Sequence, residues 1–213
     1  MKIKVCGMKE HTNIEDIISL KPDYLGLIFY DKSQRFVSNE LNQLFIKNIT
    51  SKLKVVGVFV NSDLKFIFDT VNHYSLSCVQ LHGDEDSDFC QKLKTLIPET
   101  AIWKAIRVST ETELENIGNE FEVCSKLVFD TSCDNNFGGT GKSFDWKLLD
   151  KYNGPIKFFL SGGIGPENTD QAIEYLKSHQ YGMGIDINSK VEIKPGLKSV
   201  SLVRNIINRI IRV

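Results

Sequence analysis

The chain has 213 residues and a formal net charge of −1, its 26 Lys and Arg nearly balancing 27 Asp and Glu. That length buries one sizeable core. The charge balance offers no basic footprint for nucleic acid and no acidic tail, which points to a small molecule or a second copy of the same surface as partner. Cys6, Cys78, Cys90, Cys124 and Cys133 make an odd set without CxxC spacing; with no apolar run of signal-peptide or membrane-spanning length, they fit reduced thiols in a soluble cytoplasmic protein.

Along the chain two textures alternate. Residues 2–6 form a strand candidate ending at Cys6, and Thr12 with Glu15 makes a capping box for a helix whose Ile14, Ile17 and Ile18 share a face. Tyr24 to Phe29 repeats the strand, and after the polar DKSQR a helix is expected from about Asn39 to Thr50. Val55 to Val60 is apolar on both faces, as a strand covered on both sides requires, and Leu64, Ile67, Phe68 and Val71 then step at helical spacing. Cys78 to Leu81 and Ala101 to Val108 are the next strands. Phe89, Leu93, Leu96 and Ile97 back the first; a capping box of Thr110 and Glu113 followed by Leu114, Ile117 and Phe121 backs the second.

Leu127, Val128 and Phe129 end abruptly in Asp130, and a polar segment with Gly138, Gly139 and Gly141 follows before Phe144 and Trp146 resume an apolar pattern. This reads as strand, functional loop and a short helix containing Trp146 and Leu149. Lys157 to Leu160 runs into SGGIGPEN, where Gly162 and Gly163 make a turn and Pro166 suits the first helical position ahead of Ala172, Ile173 and Leu176. Gly182 to Ile187 is the last strand, and after NSKVEIKPGLK a helix holds Val203, Ile206, Ile207 and Ile210. Some eight strand–helix repeats without a linker predict a single (β/α)8 TIM-barrel domain over residues 1–213, with a doubly wound open sheet as the alternative.

Barrel active sites lie at the C-terminal tips of the strands. Cys6, Arg35, Gln80, His82, Asp130 and Asp186 stand there. Each has an ordinary structural explanation, a core cysteine, a capping carboxylate or a solvated arginine, but their placement on one face favours a shared site. Gly162 and Gly163 after the seventh strand and Ser189 after the eighth fall where such barrels bind phosphate through backbone N–H groups, which implies a phosphorylated small substrate. Lys4 is expected on the other face of its strand or along it, which leaves the activator of Cys6 unnamed.

The segments KVCGM, FYDKSQRFVS, VGVFVN, VQLHGDE, FD followed by FGGTGKSFDW, LSGGIGPEN and GIDINSKVEIKPGLK, in this order, resemble the phosphoribosylanthranilate isomerase family over nearly the whole chain. The resemblance implies a small barrel without added cofactor that converts N-(5-phosphoribosyl)anthranilate into 1-(2-carboxyphenylamino)-1-deoxyribulose 5-phosphate. It also implies Cys6 as general base, Asp130 as general acid and Arg35 at the anthranilate end; separately, no metal ligands are expected, and the chain is expected to be a monomer or homodimer. Two departures stand out: Gln34 where the family commonly has Pro, expected to loosen that turn, and Asn188-Ser189-Lys190 where it has Ser-Ser-Gly, with Lys190 a possible added charge. The competing readings are an indole-glycerol-phosphate synthase-like lyase using Lys104, a non-catalytic ligand-binding barrel, and a cysteine hydrolase, for which no His pairs with Cys6.

Overall fold

Successive side chains of a strand point to opposite sides, and that alternation sorts the strand residues of this chain into two sets. A computed structural model describes residues 1–37, 41–109, 114–131 and 145–211. Its strands are β1 (Lys2–Val5), β2 (Tyr24–Ile28), β3 (Lys54–Phe59), β4 (Cys78–Leu81), β5 (Ala101–Val108), β6 (Lys126–Thr131), β7 (Phe158–Leu160) and β8 (Gly182–Ile187). They are parallel and close in sequence order into an eight-stranded barrel, sealed where β1 pairs with β8, Lys4 opposite Asp186. The alternating helices are α1 (His11–Ser19), α2 (Gln43–Thr50), α3 (Leu64–Tyr74), α4 (Ser87–Leu96), the single turn α5 (Ile117–Glu120), α6 (Thr169–Ser178) and α7 (Val200–Ile211).

One set of strand residues faces the helices. Val5, Leu25, Leu27, Val79, Leu127 and Ile185 share a buried cluster with Ile14, Ile46, Ile67, Leu93, Ala172 and Val203. The other set points inward: Tyr24, Val56, Cys78, Trp103, Ala105, Val128 and Phe159 form a separate buried cluster. Trp103 stacks on Phe159 with ring centres 5.0 Å apart, and Tyr24 meets Trp103 edge-on at 4.8 Å. These rings fill the lower barrel, so its interior is packed rather than a pore.

The closed barrel agrees with the sequence expectation, while several local features do not. Thr12 and Glu15 form no capping box, because α1 begins after Glu10 and both residues lie inside it. α2 begins at Gln43 after Asn42, whose side chain accepts the Leu44 N–H; the expected start at Asn39 lies outside the described residues. Pro166 sits in a turn ahead of α6, because the Asn168 side chain ties Gly163 O to the Gly165 N–H and delays the first helical residue to Thr169. Leu96 is exposed and Cys90 takes its expected place against the core. The expected short helix with Trp146 and Leu149 is present as a 3-10 helix, Trp146–Lys151, whereas NSKVEIKPGLK, expected as a loop, holds a 3-10 turn, Ser189–Val191, and an antiparallel pair, β9 (Glu192–Lys194) with β10 (Leu197–Lys198). The Thr110–Glu113 capping box, Cys133, Phe144 and the glycines at 138, 139 and 141 lie outside the described residues.

Gly26 shows how tightly β1 and β2 meet. A Cβ there would lie 2.6 Å from Cys6 Sγ and 2.9 Å from its Cα, so backbone as well as side chain would have to move. Gly26→Ala is expected to destabilise the protein by about 1–3 kcal/mol through overpacking, read as a lower Tm in thermal unfolding. An unchanged Tm would mean that this seam has slack the packing denies.

Candidate active site

Continuing the inward set above the aromatic layer replaces apolar side chains with reactive ones. Lys4 and Cys6 follow on β1, Gln80 on β4, Asp130 on β6 and Asp186 on β8, all of them buried. The Lys4 ammonium donates to Asp186 Oδ2 at 2.6 Å, and both side chains are almost wholly removed from solvent. Lys4 thus shares the face of Cys6, two residues on, contrary to the expectation that it points elsewhere; residues i and i+2 of a strand lie on one side. Burial alone would lower the Lys4 ammonium, but Asp186 and the Cys6 sulfur outweigh it and hold the group above the ordinary lysine value. Burial holds the Cys6 thiol above its ordinary value, with Lys4 pulling it down and Asp186 adding to the upward push. Asp186 Oδ1 is buried and has no hydrogen-bond partner among the described residues.

Across the mouth a chain of hydrogen bonds ends on Asp130. Gln80 Nε2 lies 2.8 Å from His82 Nδ1, and His82 Nε2 lies 3.0 Å from Asp130 Oδ2. With the amide so oriented, a neutral His82 accepts from Gln80 at Nδ1 and donates from Nε2 to the carboxylate. Asp130 Oδ1 accepts the Thr131 N–H at 2.8 Å. His82 is fixed by its own N–H to Phe59 O, and the next turn is clamped by Glu85, which accepts from Gly83 N–H and from Lys104. Lys104 also donates to Gly83 O. It lies on the outer side of β5 with Ile102 and Ile106, so it braces the His82 turn from behind and is not presented to the mouth as a lyase lysine would be.

Arg35 reaches over the end of β1. Gly7 has φ +72°, and a Cβ there would lie 2.7 Å from Arg35 Cδ and 2.6 Å from Asn188 Oδ1. The guanidinium forks onto Glu192, Nε at 2.9 and 3.1 Å and Nη2 at 2.7 Å. Glu192 also accepts from Lys198 at 2.6 Å and from the Gly196 N–H, and Lys198 donates to Asn188 Oδ1 at 2.6 Å. Burial pushes the Lys198 ammonium down to about 8 against the pull of Glu192. Burial would raise the Glu192 carboxyl, but Arg35, Lys198 and Gly196 hold it below its ordinary value. The turn carrying Gln34 is tied by Ser33 N–H to Tyr30 O, Phe36 N–H to Ser33 O, and Arg35 N–H to Ser33 Oγ.

Gly162 and Gly163 both have positive φ, +83° and +64°, which glycine adopts without a Cβ penalty. A Cβ on Gly162 would come within 2.7 Å of Asp130 Oδ1, so this turn runs beside the proposed acid. A Cβ on Gly165 would meet Lys190 Cβ at 2.8 Å, which puts the turn after β7 against the 3-10 turn begun by Ser189. Lys190 pairs with Glu167 at 3.3 Å. Sequence reasoning named Cys6, Arg35, Gln80, His82, Asp130 and Asp186 but missed Lys4, Asn188, Glu192 and Lys198. For Lys4 the signal was strand alternation; for Glu192 and Lys198, two charges inside a loop that otherwise turns on Pro195 and Gly196.

Among the described residues the barrel is filled below and polar above, the arrangement of a (β/α)8-barrel enzyme, and the strand tips are its candidate site. Its relatives narrow that class. A family model described as N-(5'-phosphoribosyl)anthranilate (PRA) isomerase matches residues 3–209, and the chain belongs to that family. It is 37% identical to the N-(5'-phosphoribosyl)anthranilate isomerase of Parabacteroides distasonis, over 99% of this chain and 94% of that protein. It is similar to a solved structure described as mutually generated monomers of the dimeric isomerase from Thermotoga maritima, with TM-score 0.79 and 29% identity over 100% of both chains. It is also similar to a phosphoribosyl anthranilate isomerase solved in complex with reduced 1-(o-carboxyphenylamino)-1-deoxyribulose 5-phosphate, with TM-score 0.78 and 28% identity over 100% of both chains.

The Arg35–Glu192–Lys198 cluster sets a pH dependence. A carboxyl held below its unfolded value contributes stability above that value and loses it as pH falls through the folded one. Glu192→Gln leaves two cations short of their counter-ion, at a cost of about 3–5 kcal/mol near neutrality. The difference in Tm between parent and variant should shrink on acidification below the ordinary glutamate range; a gap independent of pH would contradict the ionic reading.

Proposed function

We propose that the chain is a phosphoribosylanthranilate isomerase of tryptophan biosynthesis, acting in the cytoplasm as one domain over residues 1–213, a monomer or homodimer without a nucleic-acid partner. Among the described residues no helix is long and apolar enough to cross a membrane. The observation that carries the reading is the division of the mouth into an acid side, Asp130 with His82, and a thiol side, Cys6 with Lys4, with Asp186 within electrostatic reach of both.

In this reading Asp130 enters the cycle as the carboxylic acid and gives its proton to the ribose ring oxygen, becoming the carboxylate that His82 Nε2–H and the Thr131 N–H stabilise. The C1–O bond breaks toward that oxygen and the anthranilate nitrogen forms a double bond to C1. Cys6, as thiolate, then takes the proton from C2; the C–H electron pair becomes the C1–C2 double bond, and the pair in the C1–N bond returns to nitrogen. The enol hydroxyl proton at C2 then passes to the Asp130 carboxylate as the Cys6 thiol returns a proton to C1, giving the ketone and restoring both groups. Gln80 and His82 contact substrate or its acid, Asp186 offers its free oxygen to a sugar hydroxyl, and Arg35 meets the anthranilate carboxylate. Backbone N–H groups at Gly162, Gly163 and Ser189 hold the phosphate, which would otherwise be hydrated in the open mouth.

Turnover of freshly made phosphoribosylanthranilate, followed by loss of its fluorescence, tests the proposal. Asp130→Asn and Cys6→Ser should each lower kcat by about two to four powers of ten, while a product analogue binds both nearly as well as the parent. Arg35→Ala should weaken that binding, and Gly163→Val should raise KM. Full activity in both acid–base variants would exclude this mechanism, and a parent that binds the analogue without turnover would make the barrel a binding protein.

A further inference from the structure

Catalysis as proposed needs Cys6 as a thiolate in a place where burial favours the neutral thiol. We propose that Lys4, pinned by Asp186, is a positioning residue that supplies the countercharge for the Cys6 thiolate; the inference rests on the isomerase reading above. Three observations carry it. Cys6 follows Lys4 by two residues, one past the end of β1 but still paired to β8 through its N–H to Ile187 O, so the two face the same interior. The Lys4 side chain is 0% exposed, so its charge acts on the sulfur without screening by water. Asp186 uses one oxygen to hold the ammonium, and its other oxygen is buried without a partner among the described residues. A pair serving only to fasten β1 to β8 would do as well with apolar side chains, which often match or exceed a buried ion pair in stability.

The charged groups facing Cys6 are Lys4 on its own strand, Asp186 from β8 and Lys198 from β10. His82 from the end of β4 and Asp130 from β6 act on Asp186 in turn, and β2 contributes the uncharged Gly26. Lys4 acts on the thiol more strongly than Asp186 or Lys198 does.

The test follows the ultraviolet absorbance of the Cys6 thiolate against pH in the whole protein, with Cys6→Ser subtracted to remove the other cysteines. In Lys4→Met the Cys6 titration should move up by about one to three pH units. The rising limb of kcat/KM against pH should move with it while KM changes little, which a merely structural role would not produce. Because Lys4→Met leaves a buried carboxylate unpaired, Lys4→Met/Asp186→Leu provides a second folded protein; there the shift should be smaller and still upward. A titration that stays in place or moves down in either folded variant overturns the proposal. So does a shift in Lys198→Met that exceeds the one in Lys4→Met. The absorbance reading needs no turnover, so a parent inactive on phosphoribosylanthranilate would sink the functional reading and leave the titration to decide the role of Lys4.

Discussion

A closed barrel has to join its first strand to its last, and here the seam carries an ammonium against a carboxylate with water excluded. The pairing of Lys4 with Asp186 falls in register between β1 and β8, and the Cys6 N–H continues it onto Ile187 O at 2.9 Å. Taking two charges out of water costs several kcal/mol each before their attraction is counted. The pair therefore persists only with good geometry, which fixes the height of β1 against β8 and so the height of Cys6 at the mouth. Gly26 completes that constraint from the other side, since only a residue without a side chain lets β2 come close enough to hold the thiol in place.

Above the seam the mouth is organised by charge. Lys4, Arg35 and Lys198 are set against Asp186 and Glu192, with each carboxylate shared or partly free. Arg35 keeps its position because Glu192 takes its fork, and Glu192 keeps its position because Lys198 holds it from below while the β9–β10 hairpin supplies the Gly196 N–H. A ligand bearing both a phosphate and a carboxylate would meet cations and backbone donors whose geometry exists before it arrives, which lowers the reorganisation that binding requires.

Much of this was legible in the chain because barrel strands are short, apolar on both sides and followed by polar tips. β4, β5 and β8 run between the residues their apolar runs suggest. Local helix signals were less informative. Thr12 and Glu15 have the spacing of a capping box, yet packing of Ile14 and Ile17 against the barrel starts the helix earlier. Pro166 has the preference of a first helical residue, but the Asn168 side chain outcompetes it by making a turn. Asp130 and Cys6 stood out because both end apolar strands, where barrel geometry brings them to one mouth although each alone has an ordinary structural explanation. Lys4 was readable from alternation alone. The Arg35–Glu192 contact was not, since its partners are 157 positions apart and nothing local in either segment requires the other.

The rings of Tyr24, Trp103 and Phe159 do more than fill space. Among the described residues they close the lower barrel and leave the strand tips as the doorway, so an occupant would enter and leave at the same end. Traffic through such a doorway is exclusive: a product that lingers bars the next substrate, and a substrate that reopens the mouth too early departs unreacted. The dwell time of each occupant is then as much a property of the enzyme as its chemistry, and in the proposed reading the arginine, carboxylates and glycine turns at the mouth would set it.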